Sequence, residues 1–310
     1  MKDIKVSVIY VNYKTISLIL DSIQSIKEKV QNVSYEIIVV DNSSGDNAEE
    51  ILSSNYPEVR FIQAGQNLGF GRANNLGVDI AKGEVVLFLN PDTLLENDAI
   101  SEMYFFLKEN QQVGACGGNL VDMDGNPTFS LNRFDFSLFQ EFLSIFYLKL
   151  IPFTASKSIF YNFESKPLSV RSIIGADLMV RMNLIKKIGA FDSDFFMNGE
   201  DIEFCYRILK TGNKIYSIPT AKIIHFEGKS SYIKISRLQL LYEGNYMLFK
   251  KLYSFKHAKC LYYLINFKSM FRYLIFKILG NKEKQEYWVT KKKVNISAWG
   301  NFMDKNKIHA

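Results

Sequence analysis

Three carboxylates stand close together in the run from Phe195 to Arg207, where Gly199 is followed by Glu200, Asp201 and Glu203. Apolar residues at positions 202, 205 and 209 have helical spacing, which predicts a helix that begins near Glu200. Acidic side chains at a helix start complement the helix dipole, and a carboxylate at that place could equally serve as a general base. The local sequence leaves both interpretations open.

A second group of polar residues follows strands that the sequence predicts to be buried. These strands are continuous apolar runs, and they end in Asn12, in Asp41-Asn-Ser43 and in Asn90-Pro-Asp92. A single residue of this kind is usually a helix cap or a turn residue. Several at the carboxyl edge of one sheet instead predict a ligand site.

His225 is the last residue of the last predicted strand, Ala221–His225. A lone histidine in this position is more often structural than a metal ligand, and a total of three histidines argues against an all-histidine zinc site. A mixed site of Asp92 and His225 would suit Mg²⁺ or Mn²⁺ that bridges phosphate oxygens.

The elements that must position these residues alternate between two periods over the first 120 residues. Predicted strands at 6–11, 36–40, 59–62 and 84–89 alternate with predicted helices at 16–26, 47–52, 72–81 and 98–107. Continuous apolar strands separated by helices predict an α/β fold with a doubly wound, mostly parallel, Rossmann-like central sheet. Further strands are predicted at 113–118, 172–180 and 214–218.

Two common nucleotide-binding patterns are missing from the sequence. No G-x-G-x-x-G follows the first strand, and the partial match from Gly69 to Asn74 follows the third strand, so nicotinamide binding is disfavoured. No P-loop pattern occurs either, which argues against a nucleoside triphosphatase.

Composition and charge divide the chain of 310 residues into two unlike parts. Residues 1–231 hold 22 Lys and Arg against 28 Asp and Glu, whereas residues 232–310 hold 16 against 4. We therefore predict a first domain over 1–231, with a long insertion at 129–170, and a basic, aromatic-rich helical region over 232–310. Three widely spaced cysteines favour a reducing, cytoplasmic setting, and no signal peptide is evident.

The basic region has three possible partners. Cations interleaved with aromatic residues are compatible with nucleic acid, with a helical subdomain packed on the first domain, or with interfacial helices on an anionic membrane. Apolar positions between 261 and 279 favour broad apolar helix faces, with Lys259, Lys268, Arg272 and Lys277 at headgroup level. The same cations interrupt the run from Leu261 to Leu279, so we expect no membrane-spanning helix. We expect residues 232–288 to bind a membrane surface, and we expect no binding to nucleic acid.

Six motifs in order resemble family-two glycosyltransferases of the GT-A fold, closest to the rhamnosyltransferase-like branch. They are Asp41-Asn-Ser-Ser, Asn67-Leu-Gly-Phe-Gly, Asn90-Pro-Asp-Thr, Gly175-Ala-Asp, Phe191-Asp with Gly199-Glu-Asp-Ile-Glu-Phe-Cys-Tyr-Arg, and His225-x-x-Gly-Lys-Ser. The resemblance covers residues 4–231. Asn90-Pro-Asp92 stands where the wider family has Asp-x-Asp. The Q-x-x-R-W motif of processive synthases is missing, which favours transfer of a single sugar.

The resemblance implies an inverting, metal-dependent transfer with Asp201 as general base and Glu200 as second choice. Asp92 and His225 would hold Mg²⁺ or Mn²⁺ on the diphosphate of the donor, dTDP-rhamnose or a UDP-sugar. The residues implied to line the donor pocket are Val11, Asn12, Asp41, Asn67, Gly69, Arg72, Asn90, Gly175 and Ala176. Arg72 has an alternative interpretation as a solvated helix residue.

We therefore expect a non-processive transferase that uses rhamnose as the donor sugar. We expect it to extend a glycan or lipid-linked saccharide in bacterial surface polysaccharide synthesis, at the inner face of the cell membrane. The alternative is a catalytically silent sugar-nucleotide-binding scaffold of a membrane-associated assembly complex. The sequence leaves the oligomeric state open.

Overall fold

The computed structural model describes residues 3–145, 159–226 and 234–307. The chain forms two compact units. Unit 1 comprises residues 1–134, 157–193 and 204–230, and unit 2 comprises residues 135–156, 194–203 and 231–310. The boundary at residue 231 stays a prediction, and residues 135–156 and 194–203 group with the C-terminal helices.

The first half of unit 1 alternates strands and helices. In chain order its elements are β1 (Val6–Asn12), α1 (Ile16–Lys29), β2 (Tyr35–Asp41), α2 (Ala48–Asn55), β3 (Arg60–Gln63), α3 (Phe70–Ile80) and β4 (Val85–Leu89). The four strands pair in the order β3-β2-β1-β4, all parallel. Apart from the edge strand β3, each strand is a largely buried apolar run, because helices cover both faces of a parallel sheet.

Further strands of unit 1 extend the sheet with mixed direction, and two others pair with each other in a separate two-stranded sheet. The elements are β5 (Thr93–Leu95), α4 (Ala99–Glu109), β6 (Val113–Val121), β7 (Leu131–Asn132), β8 (Leu168–Val170), β9 (Ser172–Ile173), β10 (Asp177–Arg181), α6 (Met182–Ile188) and β11 (Lys214–His225), with α5 and α7 given below. Beyond β4 the order continues β10-β6-β11-β5, and β8 pairs with β11, whereas β7 and β9 form the separate sheet. The structure therefore confirms the predicted mixed α/β fold with a mostly parallel sheet.

Two apolar cores lie on the two faces of this sheet. One contains alternate residues of β1 such as Val8 and Tyr10 together with Ile19 and Ile23 of α1. The other contains Ile9 and Val11 of β1. Side chains of a strand alternate between its faces, so β1 supplies both cores.

Unit 2 is helical. It contains α5 (Leu138–Ile145), the first turn of α7 (Glu200–Lys210), α8 (Lys234–Leu252), α9 (Phe255–Ile278) and α10 (Lys282–Lys307). The last three helices pack on one another around the fully buried ring of Tyr246, whose hydroxyl donates to Asn295 and whose ring makes a T-shaped contact with Trp299. The predicted helical C-terminal region is confirmed. Within the described residues, no helix is both long and apolar enough to cross a bilayer.

Two predicted strand boundaries were wrong. The strands predicted at 214–218 and 221–225 are one strand, β11, with an irregularity between Ser217 and Lys222. Pro219 lies there, where its missing N–H does not interrupt the ladder. The strand predicted at 172–180 is divided into β9 and β10, and Gly175 lies in the break. Residues 146–158 of the predicted insertion lie outside the described residues.

Candidate functional site

Asn12 and Asp41 lie side by side at the carboxyl ends of β1 and β2, because the parallel register pairs these two residues. The Asn12 amide nitrogen donates to Asp41 Oδ1 at 2.8 Å and to Asp46 Oδ1 at 3.0 Å. Asp41 Oδ2 accepts the backbone N–H of Ser44 at 3.2 Å. The carboxylate is thus held in one orientation by the strand ends and the turn that follows β2.

Asn42 links the turn after β2 to the loop before α3. Its amide nitrogen donates to Asn67 Oδ1 at 3.0 Å and to the Gly69 carbonyl at 3.1 Å. Its amide oxygen accepts the N–H of Leu68 at 2.8 Å. One buried side chain therefore fixes the backbone of the segment that carries two predicted donor-pocket residues, Asn67 and Gly69.

Gly69 precedes α3 with φ 83° and ψ −175°, a conformation that favours glycine. Arg72, in the first turn of α3, is exposed, and its Nε donates to the carbonyl of Ser193 at 2.6 Å. In the structure Arg72 therefore fastens a neighbouring loop to α3, and contact with a donor stays a prediction.

The end of β4 meets the start of β10 on the same edge of the sheet. The N–H of Asn90 donates to the carbonyl of Ala176 at 2.9 Å. Ala176 is buried, and Gly175 beside it is half-buried. Two small residues consequently lie next to the segment from Asn90 to Asp92.

Asp177 is a fully buried carboxylate that the sequence motif contained but to which we assigned no role. Its Oδ2 accepts the N–H of Gly118 at 2.5 Å, and its Oδ1 has no hydrogen-bond partner within the described residues. Burial raises the pKa of this carboxyl to about 7, although the hydrogen bond from Gly118 and the proximity of His225 oppose the shift.

Asp92 and His225 come together because β11 pairs with β5. The register aligns His225 with Thr93, and the N–H of Phe226 donates to the carbonyl of Asp92 at 2.9 Å. His225 Nε2 lies 3.4 Å from Asp92 Oδ1, and the histidine is mostly buried. The short strand β5 was not predicted, because three residues are too few to show a period.

This pair fits a divalent ion as two of its ligands. Atoms about 2.1 Å from one octahedral ion, at neighbouring positions, lie about 3 Å apart, close to the observed separation. Carboxylate and imidazole are also donors that Mn²⁺ accepts. No group of three or more His, Cys, Asp or Glu able to hold a metal occurs among the described residues.

Glu200 and Asp201 begin α7, as the sequence predicted. Glu200 is buried, and its Oε2 has no hydrogen-bond partner within the described residues. Burial, together with the charge of Asp201, raises the pKa of Glu200 to about 8. Asp201 is only partly buried, and its Oδ1 accepts the N–H of Ile202 at 2.8 Å. The two neighbouring carboxyls therefore differ in their access to solvent.

The strand-end residues of the candidate site could be predicted from the sequence, whereas no role was predicted for two residues whose hydrogen bonds hold neighbouring backbone in place. Asn42 and Asp177 could have been singled out, since Asn42 stands between Asp41 and Ser43 and Asp177 begins a buried strand.

Val11 is buried in the core of one sheet face, so only its backbone can line a pocket. The end of the last motif, at Gly228, Lys229 and Ser230, lies outside the described residues.

Comparison with known proteins gives the family of this arrangement. The family model described as "Glycosyl transferase family 2" matches residues 7–174. The matched span contains β1 to β9 and therefore most of the strand ends described above.

Three curated relatives match between 63% and 74% of the chain. The low-salt glycan biosynthesis hexosyltransferase Agl10 of Haloferax volcanii is 28% identical over 71% of this chain and 66% of its own length. The rhamnosyltransferase WbbL of Escherichia coli is 25% identical over 74% of this chain and 90% of its own. The N-acetylglucosaminyl-diphospho-decaprenol L-rhamnosyltransferase of Mycobacterium tuberculosis is 25% identical over 63% of this chain and 67% of its own length. The chain thus spans about two thirds of the length of the first and third of these relatives.

A solved structure has the same fold. The mannosyltransferase PcManGT of Pyrobaculum calidifontis, in complex with GDP-Man and Mn²⁺, superposes with a TM-score of 0.62 at 15% identity, over 96% of this chain and 87% of its own. At this identity the similarity shows the fold alone.

Proposed function

Because the chain belongs to glycosyltransferase family 2, we propose that it transfers one sugar from a nucleotide-diphospho-sugar to a glycan or lipid-linked saccharide, with inversion at the anomeric carbon. The observation that carries the proposal is the pairing of Asp92 with His225 beside Asn90, at the sheet edge where Asn12 and Asp41 also lie. Relatives named as rhamnosyltransferases favour rhamnose as the sugar and dTDP-rhamnose as the donor, ahead of a UDP-sugar.

The donor nucleotide would lie over the ends of β1 and β2. Asp41 would accept a hydrogen bond from the base or the ribose, with the backbone of Val11 and Asn12 beside it. Asn67, Gly69 and Arg72 would lie near the nucleotide or its phosphates, and Gly175 and Ala176 would leave room for the sugar beside Asn90. The fixed orientation of Asp41 supports this assignment, because a carboxylate already held by Asn12 and Ser44 loses little freedom on binding.

Asp92 and His225 would hold Mg²⁺ or Mn²⁺ against the diphosphate. A divalent ion bound there would stabilise the negative charge that develops on the leaving diphosphate. The two ligand atoms are positioned by strand pairing between β5 and β11, so little reorganisation of the protein is needed.

Asp201 would act as general base, with Glu200 as second choice. In the reaction the acceptor oxygen attacks the anomeric carbon, the bond from that carbon to the diphosphate oxygen breaks, and the acceptor proton passes to Asp201. The exposures favour Asp201, because Glu200 is buried whereas Asp201 is partly exposed, and burial raises the pKa of Glu200, which makes it less ready to exist as a carboxylate.

The name of one relative supports the proposed acceptor, and the basic helical region supports the proposed location at a membrane. A relative whose name includes a diphospho-decaprenol acceptor supports a lipid-linked acceptor. The excess of 16 Lys and Arg over 4 Asp and Glu in residues 232–310 supports binding to the anionic inner face of the cell membrane.

A thermal-shift panel of nucleotide sugars with Mn²⁺ tests the proposal. A ligand that binds only the folded protein stabilises it by about 2.7 kcal/mol at one hundred times its Kd. We expect dTDP-rhamnose or a UDP-sugar to raise the Tm, and release of nucleoside diphosphate in the presence of acceptor to follow. Failure of every nucleotide sugar to shift the Tm would overturn the proposal. Donor binding without any transfer would instead support a silent scaffold.

A further inference from the structure

Helix α9 is apolar on two opposite faces. Its buried face packs into unit 2 and consists of Ala258, Leu261, Ile265, Ser269, Arg272 and Phe276. The opposite face carries five large apolar residues that are between 46% and 86% exposed: Tyr263, Phe267, Met270, Leu274 and Ile278. We call these five residues the α9 stripe.

The α9 stripe is continuous along the helix. Its members follow one another at intervals of four, three, four and four residues, which keeps them within a sector of about 80° at 3.6 residues per turn. At 1.5 Å per residue the stripe is about 22 Å long. A soluble helix normally has one apolar face, so the second face indicates an apolar environment outside the helical core.

The charges on α9 specify what kind of environment this is. The helix contains no Asp or Glu. Lys256, Lys259 and Lys277 are exposed and lie on the same side as the stripe, two before it and one near its end. None of these three lysines is ion-paired among the residues that the structure describes. A long apolar row with exposed cations beside it is the pattern of a helix that lies in an anionic membrane interface.

Two of the four cations expected at headgroup level were placed wrongly by the sequence. Lys268 is paired with Glu141 at 2.9 Å and donates to Ser144 Oγ at 2.7 Å. Arg272 is buried and donates to the Ser144 carbonyl at 2.9 Å. Both therefore anchor α5 to α9 inside unit 2, and Lys259 and Lys277 stay on the outer side.

A second copy of the chain is a poorer occupant of this face. Self-pairing of two α9 helices would bring lysines of one copy close to lysines of the other in either orientation, since no acidic residue of α9 is available to oppose them. An anionic lipid leaflet supplies both the apolar layer and the opposite charge.

We propose that the α9 stripe inserts into the interfacial layer of an anionic lipid leaflet, with Lys256, Lys259 and Lys277 among the headgroups. This inference rests on the proposed function only in that it names the surface through which the proposed membrane contact is made. The helix would lie along the membrane plane and would hold the enzyme where a lipid-linked acceptor is found.

Cosedimentation of the full chain with vesicles tests this assignment. The vesicles are pure phosphatidylcholine, or phosphatidylcholine with about 30% phosphatidylglycerol as the anionic lipid. Leu274→Glu is compared with Ile296→Glu on α10, since both positions are 48% exposed and both variants add one negative charge. The Tm, the molar mass by light scattering and donor binding are measured for every variant.

We expect the wild-type chain to bind the anionic vesicles and Leu274→Glu to bind at least about tenfold more weakly, because a charge must enter the apolar layer. Ile296→Glu should bind like the wild type, and Lys259→Gln with Lys277→Gln should weaken binding to the anionic vesicles alone. Tm and donor binding should be unchanged in all variants. Equal vesicle binding by wild type and Leu274→Glu would overturn the proposal, as would no vesicle binding by the wild type.

A wild-type dimer that Leu274→Glu converts to a monomer would also overturn it, and would assign the stripe to a second copy. A lower Tm for Leu274→Glu would show that the residue is covered within the chain, which contradicts the proposal. If the wild type binds no nucleotide-sugar donor, by contrast, the proposed transferase function is refuted, and the conclusion from the vesicle experiment is unaffected.

Discussion

Gly244 of α8 lies directly against the backbone carbonyl of Asn198, in the turn that leads to Glu200. A Cβ at Gly244 would overlap the Asn198 carbonyl oxygen and lie 2.8 Å from that of Met197. Asn198 and Gly199 both have positive φ, at 70° and 91°. The turn that presents the two candidate carboxyls is therefore braced by a helix of the basic C-terminal region.

Replacement of Gly244 by Ala should destabilise the protein by about 1–3 kcal/mol, because the contact is with backbone that cannot move aside. Transfer activity should fall as well, since the turn carries Asp201. Gly300→Ala is the matched control, because a Cβ on that exposed helical glycine meets nothing within 4 Å. The control should be neutral or gain up to about 1 kcal/mol. Equal Tm values for the two variants would contradict the bracing role.

The pH dependence of stability should report the buried carboxyl of Glu200. Burial raises its folded-state pKa to about 8 from 4.5, so between these pH values the unfolded chain loses this proton while the folded chain keeps it. Stability should therefore fall as pH rises from about 4.5 to about 8. Glu200→Gln, which resembles the protonated acid, should match the wild-type Tm near pH 5 and exceed it by a few degrees near pH 8. If the Tm values of the wild type and Glu200→Gln differ by the same amount at every pH from 5 to 9, the raised pKa is wrongly assigned to Glu200.

Asn42 should matter for donor affinity although no donor contact is assigned to it. Its side chain makes three hydrogen bonds to the segment from Asn67 to Gly69, and Asn42→Ala removes all of them. We expect the Kd for a nucleoside diphosphate to rise about tenfold, as the loss of one to two kcal/mol implies. Asn55→Ala, at the exposed end of α2, is the control and should bind normally by calorimetry. An unchanged Kd for Asn42→Ala would refute the positioning role.

Metal dependence should reside in Asp92 and His225. Asp92→Asn should weaken Mn²⁺-dependent binding of a nucleoside diphosphate by roughly 10–100-fold, and chelation of the metal should produce a comparable loss in the wild type. Asp124→Asn, in an exposed turn, should behave as the wild type. Binding that is insensitive to both the chelator and Asp92→Asn would contradict a metal site at this place.

Periodicity and strand-end residues were sufficient to predict the fold and much of the candidate site. Asn12, Asp41 and Asn90 could be assigned to one edge because parallel strands place their carboxyl ends together. Pairs that depend on non-local pairing were harder: Asp92 meets His225 through β5, which is too short to show a pattern.

Which side chains are buried and which are exposed could not be predicted from the sequence. Lys268, Arg272, Lys259 and Lys277 are all cations of the same helix, and the sequence does not distinguish them. In the structure α5 covers Lys268 and Arg272 and leaves the other two exposed. Glu200 and Asp201 are adjacent acids, and only their burial distinguishes a proton-holding carboxyl from a candidate base.

The most direct test of sugar transfer compares Asp201→Asn with the wild type in two assays on the same preparations. One is donor binding with Mn²⁺ by calorimetry, and the other is release of nucleoside diphosphate in the presence of acceptor. We predict unchanged donor affinity and a rate lower by about 10²–10⁴, the contribution of positioned proton transfer. Transfer by Asp201→Asn at the wild-type rate would contradict this prediction.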